Sequence, residues 1–145
     1  MTEKQAAAKN WLNRNYNLHE EIRALKLKLD EMRESANQIT GKVEEVRVQT
    51  QPDPKSGESR ILSIVEFSQE VESRAEKLRQ SDIETMHVII KLEDVKERMI
   101  LIYRYLLYKS WSYISKRLNY SESYCHEIHS AALTKIADLI DYTIT

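Results

Sequence analysis

The sequence predicts an all-α protein, and three observations lead to that prediction. Only two glycines and two prolines occur among the 145 residues, so the chain is poor in the turn formers that a many-stranded sheet requires. Apolar residues make up 41% and charged residues 31% of the chain, a composition typical of helices with wide solvated faces. The apolar residues recur at steps of three and four, which is the period of a helix. We therefore predict a long antiparallel helical hairpin (1–92) followed by a three-helix helix-turn-helix unit (93–145).

The first predicted element is a long helix with a heptad seam. Thr2 and Gln5 have the spacing of a capping box at its start. Steps of three and four residues then alternate, with Asn15 as the one polar residue of the series, and this pattern makes helices wrap around each other. The apolar members of the seam are Trp11, Leu18, Ile22, Leu25, Leu29, Met32, Ala36, Ile39, Val43 and Val46. Residues 47–58 include both prolines and are predicted to form a loop, because a residue before proline favours an extended conformation.

The second predicted helix has a seam whose phase slips. Its periodic series runs through Ile61, Ile64, Ser68, Val71, Ala75 and Leu78, and the apolar residues resume in a different phase as Ile83, Met86 and Ile90. Ser81 and Glu84 have the spacing of a second capping box, so the sequence predicts a kink or break at 79–82. Two long amphipathic helices joined by one loop indicate an antiparallel hairpin. Pairing of the heptad helices between two chains, as a homodimer, is the alternative that the sequence leaves open.

Three shorter helices are predicted after Leu92. The first carries an apolar stripe of Val95, Met99, Ile102 and Leu106. Ser110 is the predicted N-cap of the second helix, and Ser121 that of the third. The residues predicted to point inward from these two helices are Trp111, Ile114, Leu118, Cys125, Ile128, Ala132, Ile136 and Leu139. Asn119 stands in the turn between them, where a left-handed backbone is usual and asparagine tolerates it. A turn of three residues between two such helices predicts a helix-turn-helix.

The stretch "ERMILIYRYLLYKSWSYISKRLNYSESYCHEIHSAALTKI" resembles region 4, the promoter-binding region, of sigma-70 type factors. The matching positions are Glu97, Arg98, Ile114, Ser121, Ala132 and Leu133. This stretch and the opening "WLNRNYNLHEEI" together make the chain similar to small phage-encoded proteins of Gram-positive prophages. Those proteins are related in pattern to ArpU-type regulators of phage late genes. The resemblance implies a phage-derived transcription regulator that acts on double-stranded DNA, with RNA polymerase as a further partner. Departures from the sigma pattern are Tyr113, Ser115, Asn119, Glu122, His126 and Glu127.

The N-terminal residues of a recognition helix are the ones that reach base edges in the major groove. With Cys125 and Ile128 inward, helix geometry places polar residues on the outer or flanking faces, His129 and Ser130 among them. Those predicted to read bases are Glu122, Ser123, Tyr124, His126 and Glu127. Predicted phosphate contacts are Lys109, Ser110, Lys116, Arg117 and Ser121, with Lys135 as a further candidate. Six basic and two acidic residues between 98 and 135 leave this region with a net charge of +4, although the whole chain has a net charge of −1.

The alternative function is a helical protein-interaction adaptor, associated with polymerase or with phage packaging, that never touches DNA. We expect no enzymatic activity and no cofactor, since no phosphate-binding glycine loop, nucleophile elbow or HExxH motif occurs. Cys125, His126 and His129 lie close in sequence, but a structural zinc site needs four ligands, so no metal is predicted. We expect a cytoplasmic protein of a bacterial host, because the single cysteine fits a reducing compartment and no apolar run approaches a membrane span.

Overall fold

A computed structural model describes residues 1–43 and 57–144, and side chains within 1–38 and 57–141. The described chain is all-α, which confirms the predicted fold class. Its helices are α1 (Glu3–Leu12), α2 (Tyr16–Val43), α3 (Gly57–Ile89), α4 (Val95–Leu101), the π-helix (Ile102–Leu106), α5 (Trp111–Leu118) and α6 (Glu122–Ile144). The predicted loop at 47–58 lies outside the described residues except for Gly57 and Glu58, which begin α3.

The chain divides into two compact units at boundaries that differ from the predicted one. One unit comprises residues 18–78, and the other joins residues 1–17 to residues 79–145. The sequence places a boundary after Leu92 instead. The difference arises because the core of the second unit includes residues of α1 and of the end of α3 as well as of α6. A local sequence pattern does not predict contacts between residues so far apart.

The first helix is shorter than the heptad seam suggests. Thr2 and Gln5 form the predicted capping box, in which each side chain accepts the other residue's backbone N–H. α1 then ends at Leu12, and a turn at residues 13–15 separates it from α2. Asn15, the polar member of the seam, is buried there, and its Oδ1 accepts a hydrogen bond from the Ser81 hydroxyl at 2.9 Å. A buried amide oxygen needs such a partner. The heptad seam is therefore interrupted at Asn15, its one polar residue.

Within residues 18–78, α2 and α3 pack against each other along their seams. Ile22, Ala75 and Leu78 form the buried cluster, with Leu18 packed against it. Further along α2, the Arg33 guanidinium donates to the Ser68 hydroxyl at 3.2 Å. The later contact on α2, at Arg33, meets an earlier residue of α3, Ser68, than the contact at Ile22 does. The two helices therefore run in opposite directions within one chain.

α3 runs without a break through residues 79–82, so the break predicted there does not occur. The seam does not slip: it continues through Asp82, Thr85 and Ile89, of which Thr85 is 1% exposed. The Thr85 hydroxyl donates to the Ser81 carbonyl oxygen at 3.1 Å, one helical turn earlier, which satisfies its polar atom in the core. Ile83, Met86 and Ile90, which were predicted to continue the seam, are 44%, 49% and 61% exposed.

The larger unit has two adjoining clusters of buried side chains. The first draws on both ends of the described chain, and its members are Ala8, Leu12, Val88, Ile89, Leu92, Leu101, Tyr105, Ala132, Leu133, Ile136, Ala137 and Ile140. The second lies beneath α5 and consists of Ile100, Ile114, Cys125 and Ile128. The large amount of apolar area removed from water at the first cluster is the main stabilising contribution to this unit.

α4 buries a different face from the one that its predicted stripe defines. Val95 is 57% exposed, whereas Ile100 and Leu101 are fully buried. The carboxylate of Glu97 is also buried, and the Lys135 ammonium contacts its two oxygens at 2.8 and 3.0 Å. A buried charge requires such pairing. The hydrophobic pattern of the sequence assigns charged residues to the outer face of a helix, so it does not predict that Glu97 is buried.

A π-helical turn and a left-handed tyrosine connect α4 to α5. The Leu107 N–H donates to the Ile102 carbonyl oxygen at 3.0 Å, and the Lys109 N–H donates to that of Tyr103 at 2.9 Å. Between them Tyr108 has φ 54°. A bulky residue in the left-handed region costs of order 1–3 kcal/mol, and π-turns and strained residues of this kind concentrate at functional sites.

Candidate nucleic-acid interface

The α5–turn–α6 segment is defined by three local interactions that the sequence predicted. The Ser110 hydroxyl accepts the Tyr113 N–H at 3.1 Å, and the Ser121 hydroxyl accepts the Tyr124 N–H at 3.1 Å, so each serine caps its helix. Asn119 ends α5 with φ 60° and ψ 44°, as predicted. The next N–H, that of Tyr120, donates back to the Ser115 carbonyl oxygen at 2.9 Å, which closes a Schellman-type helix end.

The inward face of α6 determines which side chains of its first turns meet solvent. Cys125 is fully buried and Ile128 nearly so, both in the cluster with Ile114 and Ile100. The five predicted base-reading residues are all exposed: Glu122, Ser123, Tyr124, His126 and Glu127. They occupy the first two turns of the helix, the part of a recognition helix that enters a major groove.

Two of these five residues also make contacts within the protein. The Tyr124 hydroxyl accepts a hydrogen bond from the Lys96 ammonium at 3.2 Å, and its ring packs edge-on against that of Tyr120. The His126 ring lies 4.3 Å from the Trp111 ring, measured between centroids. Glu122 and Ser123 precede Tyr124 in the sequence and Glu127 follows His126, so the two aromatic rings with defined contacts lie in the middle of the predicted readout set.

The predicted phosphate contacts lie on α5 and at the residues that precede α5 and α6. Lys116 and Arg117 lie exposed in the last turn of α5. Lys109 is half-buried, and its ammonium stands 4.9 Å from the centre of the Tyr113 ring. Ser110 and Ser121 are exposed N-caps, and each hydroxyl still has a proton to donate after accepting its capping bond.

The remaining basic residues of the +4 region contact the protein itself. Arg98 donates to the carbonyl oxygens of Leu92 and Glu93, and Lys135 is bound to buried Glu97. The Arg104 guanidinium lies 5.0 Å from the centre of the Trp111 ring. Lys135 is therefore a poor candidate for a phosphate contact, because binding a phosphate would leave the buried carboxylate without its partner.

His129 does not lie on an outer face, which corrects the sequence-based placement. It is 5% exposed, and its Nε2 lies 2.7 Å from the Tyr105 hydroxyl. Burial raises the pKa of Tyr105 to about 12. Burial also lowers the pKa of His129 to about 4, and three nearby groups act in the same direction: Lys9, His126 and Arg104. At neutral pH both side chains are uncharged, which favours donation from the tyrosine hydroxyl to Nε2 of a neutral imidazole.

Sequence reasoning missed Lys96, which lies beside the first turn of α6. Its ammonium stands 5.9 and 5.6 Å from the centres of the Tyr120 and Tyr124 rings. The hydrogen bond with Tyr124 raises the pKa of Lys96, so it is positively charged at neutral pH. Lys96 precedes Tyr124 by 28 residues, and only the packing of α4 against α6 brings the two together.

The cysteine and histidines of α6 were considered as metal ligands. Cys125 and His129 are buried, whereas His126 packs on Trp111. Burial, followed by the nearby charge of Glu122, raises the pKa of the Cys125 thiol. Within the described residues, no group of three or more histidine, cysteine, aspartate or glutamate side chains is arranged to hold a metal ion.

No family model, curated protein or solved structure matches the chain. The helices of residues 1–43 and 57–144 include none with the length and apolar character that crossing a membrane demands.

Proposed function

We propose that α5, the turn and α6 form a DNA-binding helix-turn-helix, and that the protein is a phage-derived transcription regulator similar to sigma region 4. The observation that carries the proposal is the exposure of all five base-reading candidates on the first turns of α6. Their chemistry suits the major groove: Ser123 and His126 can donate to purine acceptors, and Glu122 or Glu127 can accept from a cytosine amino group.

The phosphate contacts in this proposal come from four basic residues, three of them exposed and one half-buried. Lys116 and Arg117 lie on α5, Lys109 precedes it, and Lys96 comes from α4. Four such contacts correspond to a slope of about −4 in a plot of log affinity against log salt concentration. One copy of the protein therefore binds weakly at physiological salt, and a second copy or RNA polymerase bound to the same DNA would raise its occupancy.

The proposal is tested by selecting ligands from a randomised duplex pool with the full chain at low salt. An enriched motif is expected, and a palindromic motif would further indicate a symmetric dimer. If no duplex of any sequence is retained, the DNA-binding proposal fails.

A charge-reversal variant then tests the phosphate contacts. Lys116→Glu with Arg117→Glu is expected to abolish duplex binding while circular dichroism remains unchanged. The matched control is Arg23→Glu with Lys26→Glu, which reverses two exposed charges on α2 and should retain binding. Equal duplex binding by both variants would contradict the assignment of Lys116 and Arg117.

The alternative function, an adaptor that binds RNA polymerase or a phage packaging component, is favoured by one observation. Ile83, Met86 and Ile90 recur at helical spacing and are all exposed, and exposed apolar groups at one helix face are typical of protein-binding surfaces. Purified RNA polymerase is the partner to test. Binding that Met86→Glu weakens and that Lys116→Glu leaves intact would support the adaptor over the DNA reader.

A further inference from the structure

A polar cleft lies beside the start of α5, on the larger unit. Its volume is about 380 Å³, and the side chains that line it are Asn13, Tyr16, Arg104, Tyr108 and Ser110. The lining contains one cation, an amide, an aliphatic hydroxyl and two phenols. Ligand sites in proteins have volumes of roughly 300–1,000 Å³, so the cleft is large enough for a small organic molecule and larger than a single phosphate needs.

The two aromatic walls of the cleft come from opposite ends of the sequence. Tyr16 follows the turn that interrupts the first seam, and Tyr108 is the left-handed residue after the π-helix. Their rings are tilted by 56° with centroids 5.7 Å apart. The residue with the unusual backbone, Tyr108, thus has its ring against that of Tyr16. Aromatic faces of this kind stack on the planar bases of nucleotides without requiring a particular base.

Arg104 supplies the positive charge of the cleft in a fixed orientation. Its Nη1 donates to the Lys109 carbonyl oxygen at 3.0 Å, and its guanidinium stacks over Trp111. A guanidinium has five N–H donors, so a bond to one carbonyl leaves capacity for an oxyanion. The nearby Arg14 is differently placed, because its guanidinium lies 3.6 Å from the Glu84 carboxylate. Arg104 is therefore the cation that the cleft offers to a ligand.

We propose that this cleft binds a nucleotide-sized phosphorylated ligand. The phosphate contacts the Arg104 guanidinium and the Ser110 hydroxyl, which can donate while it caps α5. The base stacks on the exposed Tyr16 ring, and the tilted Tyr108 ring contacts it from the side. The Asn13 amide, which both donates and accepts, bonds to the edge of the base. The ligand thereby contacts Ser110, the residue that caps α5, independently of whether α6 reads DNA.

The binding experiment uses the full chain without DNA and follows its backbone amide resonances by NMR. The probes are AMP, GMP, CMP and UMP, with adenosine and inorganic phosphate as reference ligands. Saturable shifts at Tyr16, Arg104, Tyr108 and Ser110 are expected with nucleotides. Adenosine and inorganic phosphate are each expected to bind at least about tenfold more weakly, because each lacks half of the contacts.

Two variants test the assignment of contacts. Arg104→Gln is expected to weaken nucleotide binding about tenfold or more, through loss of a charge-assisted hydrogen bond. Since Arg104 also packs on Trp111, Tyr16→Ala is the second variant: Tyr16 is 43% exposed, and its loss should weaken binding about fivefold through lost stacking. The matched control is Arg23→Gln, which removes one exposed cation from α2 and should bind as the wild type does.

The outcomes distinguish nucleotide binding in the cleft from phosphate binding alone and from nucleotide binding at the α5–α6 surface. Absence of saturable shifts with all four nucleotides at millimolar concentration would overturn the proposal, as would equal affinity for nucleotide and inorganic phosphate. Unchanged nucleotide binding in the Lys116→Glu, Arg117→Glu variant supports a site separate from the DNA contacts at Lys116 and Arg117. Loss of nucleotide binding in that variant would mean that the phosphate binds at the α5–α6 surface and would refute the assignment to the cleft.

Discussion

The two units of the molecule obtain their cores in different ways. Within residues 18–78 the buried cluster consists of Ile22, Ala75 and Leu78, all on the seams of two helices. In the other unit, Leu12 from the beginning of the described chain and Leu133 from its last helix share one cluster, together with the end of α3. The smaller unit therefore follows a pattern that can be read along each helix, whereas the larger one depends on residues that come together only when the chain folds.

The two units also differ in where their polar side chains make contacts. Residues 18–78 carry ion pairs between exposed side chains, such as Arg74 with Glu21 at 2.9 Å and with Glu70 at 2.6 Å. The larger unit instead encloses polar groups: Glu97 and His129 are 4% and 5% exposed, and each has a specific partner. A polar group in a core imposes a single arrangement on its neighbours, since any other arrangement leaves it unsatisfied.

The largest expected effect comes from truncating the long-range core. Leu133→Ala should lower the free energy of unfolding by about 4 kcal/mol, since a fully buried leucine leaves a cavity in a close-packed cluster. Ile22→Ala should cost about 2 kcal/mol, because its small two-helix cluster can collapse around the gap. Guanidinium unfolding followed by fluorescence measures the larger unit, which contains both Trp11 and Trp111, and far-ultraviolet circular dichroism measures all helices.

Leu27→Ala is the control for this comparison, since Leu27 is 67% exposed and its truncation should change little. Equal losses of unfolding free energy in Leu133→Ala, measured by fluorescence, and in Ile22→Ala, measured by circular dichroism, would show that the distinction between the two cores is wrong.

The next largest effect is a pH dependence confined to the larger unit. The pKa of His129 is lowered to about 4 by burial and by nearby basic groups, whereas an unfolded histidine titrates near 6.5. Between those values the unfolded chain binds more protons, so stability falls as the pH decreases from about 6.5 to 4, by about 3 kcal/mol in total. Above pH 6.5 this contribution is fully present. Fluorescence-detected unfolding at a series of pH values measures it.

His129→Gln removes the titration while it keeps an acceptor near the Tyr105 hydroxyl. The variant's stability should therefore depend less on pH between 4 and 6.5 than that of the wild type. Parallel curves for the two proteins would exclude His129 as the cause.

The smallest effect is expected at the exposed ion pairs of residues 18–78. Arg74→Ala removes contacts to Glu21 and Glu70, but solvent and salt screen such pairs, and many contribute nothing measurable. The thermal unfolding curve of the variant should overlay that of the wild type in 0.15 M salt. A clear loss of stability would show that the smaller unit depends on its surface charges more than on its short apolar seam.

Local signals in the sequence were sufficient for the features that a few neighbouring residues determine. Ser110 and Ser121 cap their helices, and Asn119 adopts the left-handed conformation, because each of these roles depends on chemistry within about four residues. The inward positions of Ile114 and Cys125 follow from helical periodicity in the same way. The candidate readout surface is the complement of that inward face, so its exposure could also be predicted.

The features that sequence reasoning missed have two physical causes. Thr85 and Glu97 are polar residues at buried positions, each satisfied by a partner that a hydrophobic pattern does not register. Counting Thr85 as outward shifted the α3 seam to Ile83 and Met86, and counting Glu97 as outward shifted the α4 stripe to Val95. Lys96 and the cleft at Tyr108 depend on contacts between distant residues, and a single sequence carries no signal for them.

The contact between α1 and α6 also has a consequence for the order in which the protein folds during synthesis. About 120 residues separate Leu12 from Leu133, and at ribosomal speeds of about 5–20 residues per second that interval lasts roughly 6 to 24 s. Throughout it, the apolar face of the nascent α1 has no α6 to cover it. Leu78 is made 55 residues before Leu133, so Ile22 and Leu78 can already pair during the last part of the interval. The later-folding larger unit is thus the part that chaperones or proteases would encounter in an open state.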